Sequence, residues 1–133
     1  MMDVSQDMWE STVRNYEVDY QKIVNNANYF HYFDNARAIF LKKIGLDVNE
    51  LSNNGINIVL VKTEIIFKKS LKHNDEFIVK TTLSRISRFK FKFVQEIFLK
   101  GDDNREVYAF SESVAASIST SGKPLIIDWP GHF

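Results

Sequence analysis

The stretch that decides the fold covers residues 18–29 and reads V-D-Y-Q-K-I-V-N-N-A-N-Y. It joins an extended segment to a long helical pattern, and it places one acidic residue, Asp19, a few positions before the predicted helix. Three asparagines crowd the helix start: Asn25, Asn26 and Asn28. Helix starts expose unpaired backbone N–H groups and a partial positive charge, so they attract a polarised carbonyl oxygen or a phosphate. A carboxylate beside such a pocket is the minimum equipment for acyl transfer.

The composition is that of one globular domain, covering residues 1–133. Hydrophobic residues make up 44% of the chain and charged residues 26%, which is typical of a folded protein of this length. Lys+Arg and Asp+Glu both total 17, so the formal net charge is zero. Without a broad electrostatic footprint, we expect no nucleic-acid partner.

Several chemistries lack the residues that they need. Cysteine is absent, which excludes disulfides, a thiolate nucleophile and cysteine-based metal sites. The histidines show no paired ligand spacing, so we expect no metal site. The amino-terminal M-M-D-V-S-Q-D-M-W-E has no signal-peptide pattern, and no apolar run has transmembrane length, so the default expectation is a cytoplasmic protein without a membrane span.

The long helix is predicted at residues 28–44, where apolar side chains recur at helical spacing. They are Tyr29, Tyr32, Phe33, Ala36, Phe40 and Ile44. Gly45 then supplies a natural stop. A helix with such a broad aromatic face should be wrapped by the rest of the chain.

Most of the remaining chain is predicted to be β-strand. A first strand is expected at residues 11–18, and four more follow the helix at residues 55–69, 77–86, 89–100 and 106–119. Short turns between successive strands favour antiparallel hairpins. The predicted fold class is therefore α+β, an antiparallel β-sheet wrapped around one long central α-helix.

A longer segment around the opening stretch carries a family resemblance: V-R-N-Y-E-V-D-Y-Q-K-I-V-N-N-A-N-Y-F-H-Y-F-D-N-A-R. It resembles the opening of hotdog-fold acyl-CoA thioesterases, both the 4-hydroxybenzoyl-CoA thioesterase family and the long-chain enzymes with D-x-x-x-H-V-N-N-A-R-Y. Two residues depart from these patterns. Lys22 stands where many relatives of the first group have glycine, and Ile23 stands where the second group has histidine. Both differences concern substrate choice more than reaction type.

The resemblance implies hydrolysis of an acyl-CoA thioester to a carboxylic acid and free CoA. Asp19 would act as nucleophile or general base, and a helix-start amide at Asn26, beside Asn25, would stabilise the oxyanion. No metal or redox cofactor is implied, since CoA is part of the substrate. Family members are homodimers or homotetramers with sites at subunit interfaces, which predicts the same for this chain.

Further residues are predicted to contact the substrate. Tyr29 is the candidate for lining the acyl pocket, and four cations are candidates for binding the CoA phosphates. These cations are Arg85, Arg88 and Lys90, between two predicted strands, and Lys123 in a later turn. The competing interpretation makes them charges on a solvated sheet edge. Likewise, Asp19 and the asparagines are residues that loops and helix caps favour in any protein.

Two other functions compete with the acyl-CoA thioesterase. A hotdog domain can bind or sense acyl-CoA without turnover, in which case Asp19 would be dispensable for binding. Alternatively, the thioester is carried by an acyl carrier protein, which would dock on the basic surface around Arg85, Arg88 and Lys90.

Overall fold

The computed structural model describes residues 4–127, and for Val4 the backbone alone. The elements follow in this order: β1 (Val4–Thr12), a 3-10 turn (Asn15–Glu17), α1 (Asn26–Lys43), α2 (Val48–Asn53), β2 (Ile56–Phe67), β3 (Glu76–Arg85), β4 (Lys90–Leu99) and β5 (Ala109–Ser119). No helix in this part of the chain has the length and apolar character needed to cross a bilayer.

The strands form one sheet in the order β1-β3-β4-β5-β2, and every neighbouring pair is antiparallel. Along β3, β4 and β5 buried positions alternate with partly exposed ones, because one face of the sheet packs against α1. This arrangement confirms the predicted antiparallel sheet around a long helix.

Helix α1 begins and ends through the local signals present in the sequence. The side chain of Asn25 accepts a hydrogen bond from the Ala27 N–H, which caps the start. At the other end Gly45 has a positive φ of 88°, and its N–H donates to the Lys42 carbonyl while the Leu46 N–H donates to the Leu41 carbonyl. The helix therefore begins two residues earlier than the predicted residue 28 and ends one residue before the predicted residue 44.

The predicted first strand at residues 11–18 is wrong for most of its length. The strand is β1, and residues 15–17 form a 3-10 turn instead. β1 is a polar edge strand held by its ladder with β3, with Trp9 packed edge-on against Phe77. Its backbone pairing, rather than an apolar pattern of its own, makes it a strand. Helix α2 was not predicted, although the Asp47 side chain caps it by accepting from Asn49 and Glu50.

Between α1 and the sheet, a buried polar network separates two apolar clusters. Its centre is Gln95 on β4, which is 0% exposed. Gln95 accepts from Arg37 Nη1 at 2.9 Å, and its Nε2 donates to the Phe33 carbonyl and to Thr81 Oγ1, both at 3.0 Å. Burial lowers the pKa of Arg37, and the nearby Asp34 opposes that shift. The network fixes how α1 lies on the sheet.

Candidate active site

Asp19 lies in a short hairpin that leads into α1. Val18 pairs with Val24, and the Asp19 N–H donates to the Ile23 carbonyl at 2.9 Å. The turn needs a left-handed residue, and Lys22 takes that conformation with a φ of 66°. Glycine adopts this conformation without steric cost, whereas a residue with a Cβ such as Lys22 is strained there. The return arm is anchored from outside, because the Val24 N–H donates to a carbonyl in the connection after β2.

The Asp19 carboxylate is partly exposed and has one partner in its own turn. Its Oδ1 accepts from the Gln21 N–H at 2.8 Å. Within residues 4–127, Oδ2 accepts no hydrogen bond. One carboxylate oxygen is therefore held while the other stays available to a water molecule or a substrate.

The first turn of α1 leaves one backbone donor available. The Ala27 N–H donates to Asn25 Oδ1, and the Asn28 N–H donates to the Asn25 carbonyl, both at 2.9 Å. In the part of the chain that the structure describes, the Asn26 N–H has no acceptor. This is the amide predicted to hold an oxyanion. Asn25 Oδ1 is occupied by capping, so this oxygen holds the first turn in place beside the Asn26 amide.

Tyr29 lies in the core instead of facing a substrate cleft. It is 1% exposed, its hydroxyl accepts from the Leu71 N–H at 3.0 Å, and its ring packs against Phe67 on β2. Burial raises the pKa of Tyr29, and the bond from Leu71 partly opposes this. In the single chain, the Tyr29 ring has no exposed surface with which to line an acyl pocket, which is the role predicted from the sequence.

Glu17 is a residue of the site region that the sequence did not single out. It is 8% exposed, and its carboxylate accepts from the Arg14 N–H at 2.8 Å. Its backbone carbonyl accepts from two donors on the helix side, the Asn25 N–H at 3.1 Å and Asn28 Nδ2 at 2.8 Å. Neither the composition nor the residue spacing of the sequence indicated that Glu17 would be buried and would contact both Arg14 and the start of α1.

The Tyr32 hydroxyl is buried beside the Glu17 carboxylate. No hydrogen bond of good geometry reaches the hydroxyl within the described residues. Burial, followed by the charge of Glu17, raises the pKa of Tyr32. Both residues line a cleft of about 640 Å³ between β1, the 3-10 turn and the outer face of α1, and this cleft also reaches Asn28 and His31.

The four candidate CoA-binding cations lie at the other end of the domain. Leu83 and Phe91, which flank the β3–β4 turn, pack in the same cluster as Phe40 near the end of α1. Arg85, Arg88 and Lys90 are exposed around that turn, and Lys123 lies in the turn after β5, at the same end. Helix α1 has 18 residues and is therefore about 27 Å long, and the cations lie towards the end of the domain opposite to Asn26. One chain does not bring them to Asp19.

Within residues 4–127, no set of three or more acidic or histidine side chains is placed to hold a metal ion.

The chain is similar in sequence and in structure to proteins of one known superfamily. The family model described as the thioesterase-like superfamily matches residues 13–130. The chain belongs to that superfamily. This membership confirms the resemblance found in the sequence and the predicted class of thioester hydrolase.

Individual relatives agree with the assignment. The chloroplastic acyl-acyl carrier protein thioesterase ATL2 of Arabidopsis thaliana is 38% identical over 89 residues, which is 67% of this chain and 47% of ATL2. This chain thus spans about half of that relative. A solved structure from Aquifex aeolicus, described as a hypothetical protein, has 30% identity and a TM-score of 0.82, covering 92% of this chain and 93% of the other.

The fold itself is matched by a Synechocystis 1,4-dihydroxy-2-naphthoyl-CoA thioesterase. That structure has a TM-score of 0.85 and 17% identity, covering 93% of this chain and 90% of the other. Together with the five-stranded sheet and the packed helix, this likeness confirms the predicted hotdog fold.

Proposed function

We propose that this superfamily member hydrolyses an acyl-CoA thioester to a carboxylic acid and free CoA at the Asp19 hairpin. The observation that carries the proposal concerns residues 4–127: there the N–H of Asn26 at the first turn of α1 has no acceptor, and Asp19 in the adjoining hairpin keeps Oδ2 without a hydrogen bond. A donor fixed in the backbone needs no rearrangement when negative charge develops on the carbonyl oxygen.

In the general-base form of the reaction, Asp19 removes a proton from water, and the oxygen attacks the thioester carbon. The carbonyl oxygen gains negative charge and accepts the Asn26 N–H. Collapse of the tetrahedral intermediate expels the CoA thiolate, which takes up a proton. In the nucleophilic form, the Asp19 carboxylate attacks the thioester carbon and expels the CoA thiolate, and water then hydrolyses the resulting anhydride to restore Asp19 and release the carboxylic acid. Both forms use the same carboxylate and amide.

The test measures CoA release from aryl, short-chain and long-chain acyl-CoA esters by the wild type and by Asp19→Asn. Loss of a general base or nucleophile should lower kcat by roughly 100-fold or more. The matched control is Asp103→Asn, the same chemical change at an exposed turn residue, which should leave kcat unchanged. Binding of every ester without release, by wild type and mutant alike, would replace the hydrolase with an acyl-CoA sensor.

The similarity to ATL2 supports a second substrate, an acyl chain on an acyl carrier protein. The same assay should therefore include acyl carrier protein esters with matched acyl groups. Faster turnover of the carrier-protein ester than of the CoA ester would favour this alternative. Docking on the basic surface would then make the rate sensitive to replacement of Arg88.

We also propose that the chain forms a homodimer through β2, with sites shared between subunits. β2 is a sheet-edge strand of 12 residues that exposes several large apolar side chains. They are Val59, Leu60, Val61, Ile66 and Phe67. A long apolar edge of this kind is a template for strand pairing. Leu60→Lys should therefore shift the mass measured by light scattering towards the monomer.

Symmetric antiparallel pairing of β2 with its copy would also account for the distant cations. Phe67 lies beside Tyr29 near the start of α1, whereas Ile56 pairs with Ser119 at the cation end. A two-fold axis through β2 places the Ile56 end of one subunit beside the Phe67 end of the other. The CoA phosphates would then meet the cations of the partner subunit.

Mixing two inactive variants tests this arrangement. One carries Asp19→Asn, and the other carries alanine at Arg85, Arg88 and Lys90. If the cations act across the interface, each mixed dimer holds one intact site, and co-expression should restore roughly a quarter of wild-type activity. If aspartate and cations act within one chain, every site in a mixed dimer is defective and no activity returns.

The cytoplasmic location remains a prediction from the sequence.

A further inference from the structure

The Glu17 carbonyl ties the hairpin that carries Asp19 to the first turn of α1. Its two lone pairs accept from the Asn25 N–H at 3.1 Å and from Asn28 Nδ2 at 2.8 Å. The Glu17 residue is itself fixed, because it is 8% exposed and its carboxylate accepts from the Arg14 N–H. One of the two ties is an ordinary backbone contact, and the other is made by a side chain.

The side chain of Asn28 makes an unusual hydrogen bond for the third residue of a helix. Side chains at this position commonly bond back to the residue that caps the helix. Here the capping task is already done by Asn25, which accepts from Ala27. Asn28 instead donates to a carbonyl 11 residues earlier in the chain. Its amide joins the helix to the outgoing arm of the hairpin, on which Asp19 lies two residues further along.

We propose that Asn28 is a positioning residue that sets the Asp19 carboxylate relative to the Asn26 N–H. This role rests on the proposed function, since it concerns the same two groups. The Asn26 N–H is fixed by the helix, whereas Asp19 is fixed only by the arms of its hairpin and its own turn. The Asn28 amide is one of the two ties between these parts, so its loss loosens the outgoing arm without removing either reacting group.

The test compares Asn28→Ala and Asn28→Asp with the same changes at Asn35. Asn35 is exposed two turns further along α1 and has no hydrogen bond from its side chain within residues 4–127. Asn28→Asp keeps the side-chain size and places a negative charge in the first helical turn, which favours folding. It nevertheless replaces the donor that faces the Glu17 carbonyl with an acceptor.

Two measurements are made on each variant: amide hydrogen exchange in the hairpin, and kcat with KM for the best ester. The informative amides are those of Asp19, Lys22 and Asn25, which are hydrogen-bonded in the hairpin. In both Asn28 variants these amides should exchange about tenfold faster than in the wild type. The kcat should fall roughly 10-fold to 100-fold while KM stays within about threefold, because misplacing a reacting group by about 1 Å has an effect of this size on the rate. The Asn35 variants should match the wild type in both measurements.

Exchange at the wild-type rate in Asn28→Ala would overturn the proposal, as would faster exchange with kcat unchanged. These results, obtained with an active wild type, remove the positioning role alone. A wild type that turns over none of the esters would remove the proposed reaction, and the role of Asn28 in it falls as well. A lowered Tm with wild-type kcat and exchange in the hairpin would assign Asn28 a purely structural task and also overturn the proposal.

Discussion

Replacing Gln95 with leucine should destabilise the fold more than any surface change, because Gln95 holds α1 on the sheet. The residue is fully buried and makes three hydrogen bonds, to Arg37, to the Phe33 carbonyl and to Thr81. Leucine is similar in size, so the change leaves little cavity. Its cost comes from the polar groups that lose a partner.

The magnitude follows from those groups. Each lost hydrogen bond costs about 1 kcal/mol net, and a buried charged donor left without its acceptor adds roughly 1–3 kcal/mol. The Arg37 guanidinium is such a donor, since its side chain is 10% exposed and its other contact, Asp34, is 3.4 Å away and largely exposed. The free energy of unfolding of Gln95→Leu should therefore fall by about 4–6 kcal/mol.

The assay is denaturation in guanidinium chloride at fixed protein concentration, followed by circular dichroism. A loss of this size should move the midpoint by about 1 M. Gln6→Leu makes the same chemical change at an exposed position on β1 and should alter stability by no more than about 0.5 kcal/mol. Fixed concentration matters because an oligomer's stability depends on it.

The double variant Arg37→Met with Gln95→Leu tests the reason for the loss. Removing both partners together leaves no buried charge without an acceptor, so the double variant should lose less than the sum of the two single variants. Additive losses, or a Gln95→Leu variant within about 1 kcal/mol of the wild type, would refute the idea that unsatisfied polar groups dominate the cost.

Three further predictions concern residues near the hairpin. Asn25→Ala removes the cap of α1 and should cost about 1 kcal/mol in urea denaturation, whereas Asn25→Ser should retain stability. Lys22→Gly relieves a positive φ and should leave stability equal or raise it by up to about 1 kcal/mol, so a clear loss would contradict this account. Tyr32→Phe should change stability by less than about 1 kcal/mol, because the hydroxyl makes no hydrogen bond of good geometry among the described residues.

The pKa shifts of the two buried tyrosines add a pH dependence to the last of these predictions. Burial raises the pKa of both Tyr29 and Tyr32 above the usual value of 10.0. Their neutral rings therefore stabilise the fold fully below pH 10, and this contribution is lost as pH rises, because the unfolded phenols ionise first. The denaturant concentration at the midpoint of unfolding, measured from pH 8 to 11, should fall above pH 10. It should fall less steeply in Tyr32→Phe than in the wild type.

Much of the site's local structure was predictable because short-range chemistry fixes it. The cap at Asn25, the glycine stop at Gly45 and the alternation along β4 depend on residues close together in sequence. β1 escaped prediction because a polar edge strand is defined by its ladder with a distant strand, not by its own pattern. A polar residue at an inward position of β4, Gln95, was a signal of the buried network, yet its partners lie 14 to 62 residues away.

The sequence by itself determined the central helix, the antiparallel sheet, the superfamily and the placing of Asp19 just before a helix start. These follow from periodicity, turn residues and a contiguous motif, all of which are local. Only the tertiary structure decided that Tyr29 is buried, that Glu17 and Asn28 join the hairpin to α1, and that the cations lie at the far end of the domain. The distance between residues many positions apart depends on how the helix packs on the sheet, and no local pattern encodes it.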